Sequence, residues 1–286
     1  MLWGFFALIA GLTYCVQTEI NKNYQVKGFT LNTSRSLFAA ILMLPLIPFM
    51  EWPTLPAYYL VVLIEAAISV ICMMAQYNLA ARRNGRIACL HQPIVLMLTF
   101  VVWLAIDGQQ RQFLLDNPLN TAGILIAFLI FMFSIQFIKK NHAGWSALLA
   151  VLPIAVLYSI MTVISKIALE HGDSLLAISL NFVFLTNILM FVISLPIYYF
   201  RNKHNFIPPR IIESAGMVAF FHTISWVFAC IAIILTPNPA YVSVMTGLAP
   251  VWFMIYYKAR GIEDDASPWS GMFMALAAMI VLVCAR

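Results

Sequence analysis

Ten apolar segments, each close to the length of a membrane-spanning helix, follow one another along the chain. They cover 3–21, 34–50, 57–79, 87–106, 120–138, 145–166, 175–199, 213–235, 239–257 and 268–284. About 20 mainly apolar residues cross a bilayer as a helix, and a helix satisfies its own backbone polar groups in lipid. Only 9% of the 286 residues are charged, against about 25% in soluble proteins. The sequence therefore predicts an all-α membrane protein with ten transmembrane helices, and no soluble domain.

The second half of the chain repeats a pattern found in the first. Ala7–Lys22 aligns with Val151–Lys166, and the identical pairs are Leu8/Leu152, Tyr14/Tyr158, Thr18/Thr162, Ile20/Ile164 and Lys22/Lys166. The polar stretch Ile138–Trp145 separates the halves. Each half holds an odd number of predicted spans, so the second half would enter the membrane from the opposite side. We expect two inverted five-helix repeats, 1–138 and 145–286.

Lysine and arginine are concentrated in alternate loops. One side would hold Lys22, Lys27, Arg35, Arg82, Arg83, Arg86, Lys139, Lys140, Arg201, Lys203, Arg210, Lys258 and Arg260. The other side would hold Arg111, Lys166 and Arg286. Because positively charged loops stay in the cytoplasm, both termini are predicted to face outward. The net charge of +5 is explained by these loops, and we expect no nucleic-acid partner.

The sequence carries no catalytic or metal-binding signature. It has no His-Glu-x-x-His, no Gly-x-Ser-x-Gly and no phosphate-binding glycine loop. The five cysteines lie in apolar segments without metal-ligand spacing, and we interpret them as core residues. No cofactor, no metal and no enzymatic activity are expected. Two alternatives stay open, namely an integral membrane enzyme and a membrane subunit that transports nothing.

Glu65 is the strongest candidate for a functional residue. It lies well inside span 3, where an acidic residue costs about 3 kcal/mol on insertion scales. Such an acid must be neutralised by a proton, by a cationic partner or by water. Ser69, Cys72 and Gln76 follow on the same helical face. We expect Glu65 to face a central cavity and to bind substrate or a proton, with His222 and the Gln17 region as its nearest partners. The alternative is a protonated glutamic acid that only bonds a neighbouring helix.

His222 occupies nearly the corresponding place in span 8, with Ser225, Trp226 and Cys230 on its helical face. It is the second candidate for proton coupling, although a satisfied core histidine is the alternative. Glu19 lies three residues before Lys22, and we interpret these two residues as an interfacial ion pair.

Spans 1 and 6 contribute further polar residues. As aligned positions, Tyr14 and Tyr158 should face each other across the repeat axis; helix-packing hydrogen bonds are the alternative. His91-Gln92-Pro93 and Leu248-Ala249-Pro250 are predicted to break spans 4 and 9, unless they are only kinks. The complete predicted substrate-binding set is Tyr14, Gln17, Glu65, Gln76, His91, Tyr158, Thr162, His222 and Trp226.

Short motifs recur at matching places. Tyr14, Cys15 and Lys22 precede an arginine, Arg35, that opens span 2, and the second half carries Pro250, Glu263 and Gly271. In the first half Pro93 and Gly123 correspond, Asp107 stands near the place of the glutamate, and Gly108–Thr121 is an insertion. This pattern resembles the drug/metabolite transporter superfamily in its ten-helix EamA-like form. Tyr14 and Cys15 replace the Trp-Gly of that family's first-helix motif.

The resemblance implies a secondary transporter of the cytoplasmic (inner) membrane that works by alternating access. Its members usually have cytoplasmic termini, whereas the charge bias of this chain predicts the reverse, and we follow the charge bias. The polar faces suggest a small amphipathic solute such as an amino acid or an amine, with protons as the candidate coupling ion. Membrane lipid is the expected surrounding partner.

Overall fold

The computed structural model describes residues 2–82, 91–137, 145–201, 209–261 and 268–285. The separating stretch 138–144, six of the counted cations (Arg83, Arg86, Lys139, Lys140, Lys203 and Arg286) and Glu263 lie outside these ranges. In the described ranges the chain is helical and has no strand. The helices are α1 Leu2–Tyr24, α2 Gly28–Met43, α3 Pro56–Arg82, α4 Gln92–Ile106, α5 Gly108–Asp116, α6 Pro118–Phe137, α7 Trp145–Leu169, α8 Leu175–Arg201, α9 Pro209–Leu235, α10 Ala240–Thr246, α11 Ala249–Ala259 and α12 Pro268–Cys284.

Six helical segments of the described chain are long and apolar enough to cross a membrane. They are Gly28–Phe49, Pro56–Ala81, Val151–Leu169, Leu175–Phe200, Ile211–Leu235 and Ala240–Ala259. The number becomes seven if α4 and α5, which meet at 103°, form one span. The apolar helices Pro118–Ser134 and Pro268–Cys284 are shorter, and α1 is outside both groups. The helices indicate a multi-pass membrane protein, and each of the ten predicted segments overlaps a helix.

Two cations that the sequence assigned to loops are buried inside the bundle. Span 2 begins at Gly28 instead of 34, so Arg35 lies within α2 and is fully buried. Its guanidinium donates to Asn32 Oδ1 at 2.8 Å and to Asn187 Oδ1 of α8 at 3.2 Å. Lys166, near the end of α7, is 6% exposed. When both cations are left out of the lysine and arginine count, the excess of positive charge stays on the same side of the membrane.

The insertion Gly108–Thr121 forms α5 and the start of α6. Asp107 is the N-cap of α5, and its Oδ1 accepts the backbone N–H of Gln109 at 2.9 Å and of Gln110 at 3.1 Å. These bonds satisfy donors that a helix N-terminus leaves unpaired. Asp107 therefore has a local capping role, which its likeness to a motif glutamate did not suggest.

Span 9 is broken, as the sequence predicted. It consists of α10, which ends at Thr246, and α11, which begins at Ala249, with Pro250 in its first turn. Proline is preorganised for a first helical turn and disfavours helix in the residue before it. A Cβ on Gly247 would lie 2.3 Å from the Phe131 ring of α6, so a glycine allows this close approach. For span 4, α4 begins at Gln92, and the residues before His91 lie outside the described chain.

Two pairs of antiparallel helices, α1 with α9 and α3 with α7, pack with matching contacts. Ser225 of α9 donates to the Ala10 carbonyl oxygen at 2.8 Å, and the Cys72 thiol of α3 donates to the Ile154 carbonyl oxygen at 3.8 Å. Ala10 and Ile154 are aligned positions of the repeat. The same polar contact therefore recurs between each half's first helix and the other half's third helix.

A second contact of each helix pair matches as well. His222 of α9 contacts Gln17 Oε1 of α1 at 3.0 Å, and Ser69 of α3 contacts Met161 Sδ of α7 at 3.8 Å. Gln17 and Met161 are aligned in the two halves. His222 therefore corresponds to Ser69, one helical turn from the place that matches Glu65, in agreement with the prediction that its place corresponds nearly to that of Glu65.

The ends of the helices define two ends of the bundle. Asn21 Nδ2 donates to the Tyr77 carbonyl oxygen at 2.9 Å, which brings the ends of α1 and α3 together at what we call the Lys22 end. Lys166 Nζ donates to the carbonyl oxygens of Ile234 and Thr236, each at 3.1 Å. Those bonds bring the ends of α7 and α9 together at the opposite side, which we call the Lys166 end.

Candidate functional site

A cavity of about 120 Å³ lies inside the bundle, between α1, α3 and α4 of the first half and α7, α9 and α10 of the second. It has room for several water molecules or a small solute. Its lining is Ala10, Tyr14, Gln17, Glu65, Met73, Gln92, Val95, Tyr158, Met161, Thr162, Ser165, His222, Ser225, Trp226, Ala229, Ile233, Val242, Ser243 and Thr246.

Most of the predicted substrate-binding residues line this cavity. They are Tyr14, Gln17, Glu65, Tyr158, Thr162, His222 and Trp226. The other two predicted residues, Gln76 and His91, are fully buried behind it. The His91 ring stacks on the Tyr158 ring, with centroids 4.7 Å apart and planes at 17°. Those two residues therefore support the wall of the cavity and do not form its surface.

Gln76 bridges the two aligned tyrosines. Its Nε2 donates to the Tyr14 hydroxyl, and the Tyr158 hydroxyl donates to its Oε1. Gln76 lies on α3, Tyr14 on α1 and Tyr158 on α7, so the bridge joins the two halves. The aligned tyrosines thus meet through a third side chain, which the sequence did not reveal.

Glu65 faces both the cavity and a neighbouring helix. It is fully buried, and its Oε1 accepts a hydrogen bond from Ser165 Oγ of α7 at 3.2 Å. Its Oε2 has no hydrogen-bond partner among the residues that the structure describes. The expectation that His222 or the Gln17 region would be its nearest partner is wrong. Glu65 lies toward the Lys166 end of the cavity, whereas His222 and Gln17 lie toward the Lys22 end.

His222 also has one satisfied and one unsatisfied polar atom. Its Nδ1 lies 3.0 Å from Gln17 Oε1, while its Nε2 has no partner in the described part of the chain. A carboxamide oxygen can only accept, so with Gln17 Oε1 facing a neutral ring Nδ1 is the donor, and Nε2 is then an acceptor. The ring packs edge-on against Trp226, with centroids 5.1 Å apart.

Besides Ser165 and Ser225, three polar lining residues are absent from the predicted substrate-binding set, namely Gln92, Ser243 and Thr246. Thr246 Oγ1 donates to Gln92 Oε1 at 3.4 Å across α10 and α4. Gln92 lies inside the predicted break at His91–Pro93, and Thr246 ends α10 directly before the break at Gly247. The two proline motifs were therefore the signal for these residues, because a broken helix places polar side chains beside the cavity.

Outside the cavity, the predicted ion pair between Glu19 and Lys22 is present, with Nζ 3.1 Å from Oε1. Tyr257 of α11 shares it, since its hydroxyl donates to Glu19 Oε2 at 2.9 Å and accepts from Lys22 at 3.1 Å. Within the described ranges, no group of three or more His, Cys, Asp or Glu side chains could hold a metal ion.

Comparison with known proteins gives likenesses in structure alone, with 19 chains of known structure that match. No family profile and no curated protein matches the sequence. A protein of known crystal structure superposes with a TM-score of 0.63 over 100% of this chain and 98% of its own, at 13% sequence identity. At that identity the match shows a shared fold over the whole chain and says nothing of activity.

Proposed function

We propose that this chain is a secondary active transporter of the drug/metabolite transporter superfamily, EamA-like in form. It would move a small metabolite, such as an amino acid, an amine or a related amphipathic solute, across the cytoplasmic membrane. Transport proceeds by alternating access in ten helices arranged as two inverted repeats, without enzymatic chemistry. Glu65 and His222 are the groups that couple protons.

One observation carries this proposal, namely that three helices from each half enclose the polar cavity. They are α1, α3 and α4 with α7, α9 and α10, which occupy corresponding places in the two predicted repeats. A site at the interface of inverted repeats, beside a broken helix, is the arrangement by which transporters expose a solute to alternate sides. The matching contacts of Ser225 and Cys72 support the repeat.

Reconstitution in proteoliposomes tests the function. We expect uptake of an amine or amino acid, driven by an imposed pH gradient, and we expect Glu65→Gln to abolish it. The amide keeps the shape of the carboxyl and can still accept from Ser165, so the fold should persist, but it can neither release a proton nor balance a cation.

Glu213→Gln is the matched control, because Glu213 is exposed on α9 and outside the cavity. It should transport like the unmodified protein. Unaltered uptake by the Glu65→Gln variant, with the same dependence on the gradient, would contradict the role of Glu65. Absence of flux for every solute class would instead favour a membrane enzyme or a non-transporting subunit.

A further inference from the structure

The cavity contains two buried acceptor atoms that are without a protein partner in the described chain, Glu65 Oε2 and His222 Nε2. On the basis of the transport function proposed above, we propose that the solute is an elongated amine. Its ammonium group binds Glu65, and a neutral O–H or N–H donor at its far end binds His222. Buried polar atoms are normally hydrogen-bonded, and leaving one unpaired is costly. A solute with a donor at each end would satisfy both.

The two acceptors lie at different depths along the bundle. Gln76 holds Tyr14 and Tyr158 at one level. Ser165, the partner of Glu65, is two helical turns from Tyr158 toward the Lys166 end, and Gln17, the partner of His222, is one turn from Tyr14 toward the Lys22 end. With a rise of 1.5 Å per residue, the acceptors are separated by roughly 10–15 Å. One ammonium group cannot reach both, so the solute must be elongated.

Charge distinguishes the two ends of the solute. Among the described residues no lysine or arginine forms an ion pair with Glu65, so an ionised Glu65 would receive its counter-charge from the solute. A paired buried charge is far less costly than an isolated one. At the other end, the guanidinium of Arg35 is fully buried on α2, which packs against α9, the helix of His222. A second ammonium there would be repelled, which leaves a neutral donor.

The lining between the two acceptors is mainly apolar, and the hydroxyls of Tyr14 and Tyr158 at this level are already bonded to Gln76. The cavity is bordered there by the thioethers of Met73 and Met161 and by the indole of Trp226. Methionine and aromatic side chains favour hydrocarbon and do not compete for hydrogen bonds. A methylene chain or an aromatic ring therefore suits the segment between the head and tail of the solute.

Binding of a matched series to the purified full-length protein in detergent tests this assignment. The probes are aminohexanol, hexylamine, diaminohexane and hexanol, measured by isothermal titration calorimetry. Aminohexanol should bind most tightly. Hexylamine should bind about fivefold to tenfold more weakly, because it lacks one hydrogen bond to a buried acceptor. Diaminohexane should also be weaker than aminohexanol, and hexanol should not bind.

Two variants distinguish the binding of one end of the solute from the binding of the other. His222→Phe keeps a ring against Trp226 but removes the acceptor, so aminohexanol should then bind no better than hexylamine. Glu65→Gln should weaken every amine and leave the ratio of aminohexanol to hexylamine unchanged. Equal binding of these two probes by the unmodified protein, an unchanged ratio in His222→Phe, or no binding of any amine overturns the inference. If the probes bind as predicted but proteoliposomes show no flux, the solute class is supported and the transport function is refuted.

Discussion

At the scale of single residues, Gln76 shows how one side chain can join two repeats. Its amide has a donor end and an acceptor end, and it uses each on a tyrosine from a different half. Both tyrosines line the cavity, so the amide fixes the orientation of two cavity-lining rings. A leucine of similar size could fill the space but could make neither bond.

A double-mutant cycle between Gln76→Leu and Tyr158→Phe should measure this bridge. We expect a coupling free energy of about 0.5–1.5 kcal/mol, from chemical unfolding in micelles, since each single change already removes the shared hydrogen bond. Tyr59→Phe is the control, because Tyr59 is exposed at 38% on the same helix. Its effect should add to that of Gln76→Leu. If the free-energy effects of Gln76→Leu and Tyr158→Phe also simply add, the bridge contributes nothing to stability.

Hydropathy alone was sufficient to predict Glu65 as a site residue, because an acid inside an apolar segment is costly wherever it points. Its partner could not be predicted, since Ser165 lies 100 residues away and the relative depth of α3 and α7 is set by packing. The prediction that Arg35 belongs to a loop was wrong for a related reason. An arginine near the start of an apolar segment resembles a loop flank, and its partner Asn187 of α8 lies 152 residues away in sequence.

At the scale of elements, the break between α10 and α11 depends on close packing at Gly247. An added Cβ would meet the Phe131 ring at 2.3 Å and the Ser243 carbonyl oxygen at 2.8 Å. A Cβ on Gly216 of α9, in contrast, would meet no atom of the structure within 4 Å. These two glycines form a matched pair for substitution.

Gly247→Ala should lower the free energy of unfolding by about 1–3 kcal/mol, because the methyl group forces Phe131 and the backbone apart. Gly216→Ala should raise it by up to about 1 kcal/mol, since alanine favours helix. Thermal unfolding in the same detergent checks both changes. A Gly247→Ala variant as stable as the unmodified protein would show that α6 can move away at no cost.

The observed helix boundaries agree with the predicted ones where a proline marks the boundary. The Leu248-Ala249-Pro250 motif predicted the break in span 9. The short helix α5 was missed because Gly108–Asp116 is polar and glutamine-rich, and an apolar pattern cannot reveal a helix that lies outside the apolar segments. The later start of the predicted span 2 has the same cause, since Asn32, Thr33 and Ser34 look like a loop but are buried within α2.

At the scale of the whole molecule, orientation is testable at two exposed positions. In a cysteine-free background, Lys27→Cys marks the Lys22 end and Asp173→Cys marks the Lys166 end. The charge bias predicts that a membrane-impermeant thiol reagent labels Asp173→Cys in intact cells. It should label Lys27→Cys only after permeabilisation. The reverse result would place both termini in the cytoplasm and refute the predicted orientation.

Lys22 and Lys166 occupy aligned positions, yet they hold opposite ends of the bundle by different chemistry. Lys22 is part of a partly exposed ion pair, with its side chain 35% accessible, and salt weakens such pairs. Lys166 is buried against carbonyl oxygens at the end of α9, and only its ion pair with the half-exposed Glu170, at 3.4 Å, is open to salt. In a protein that rocks between two end states, closing one end would then release a different free energy from closing the other. The resting population would favour one state, and ionic strength would shift that balance.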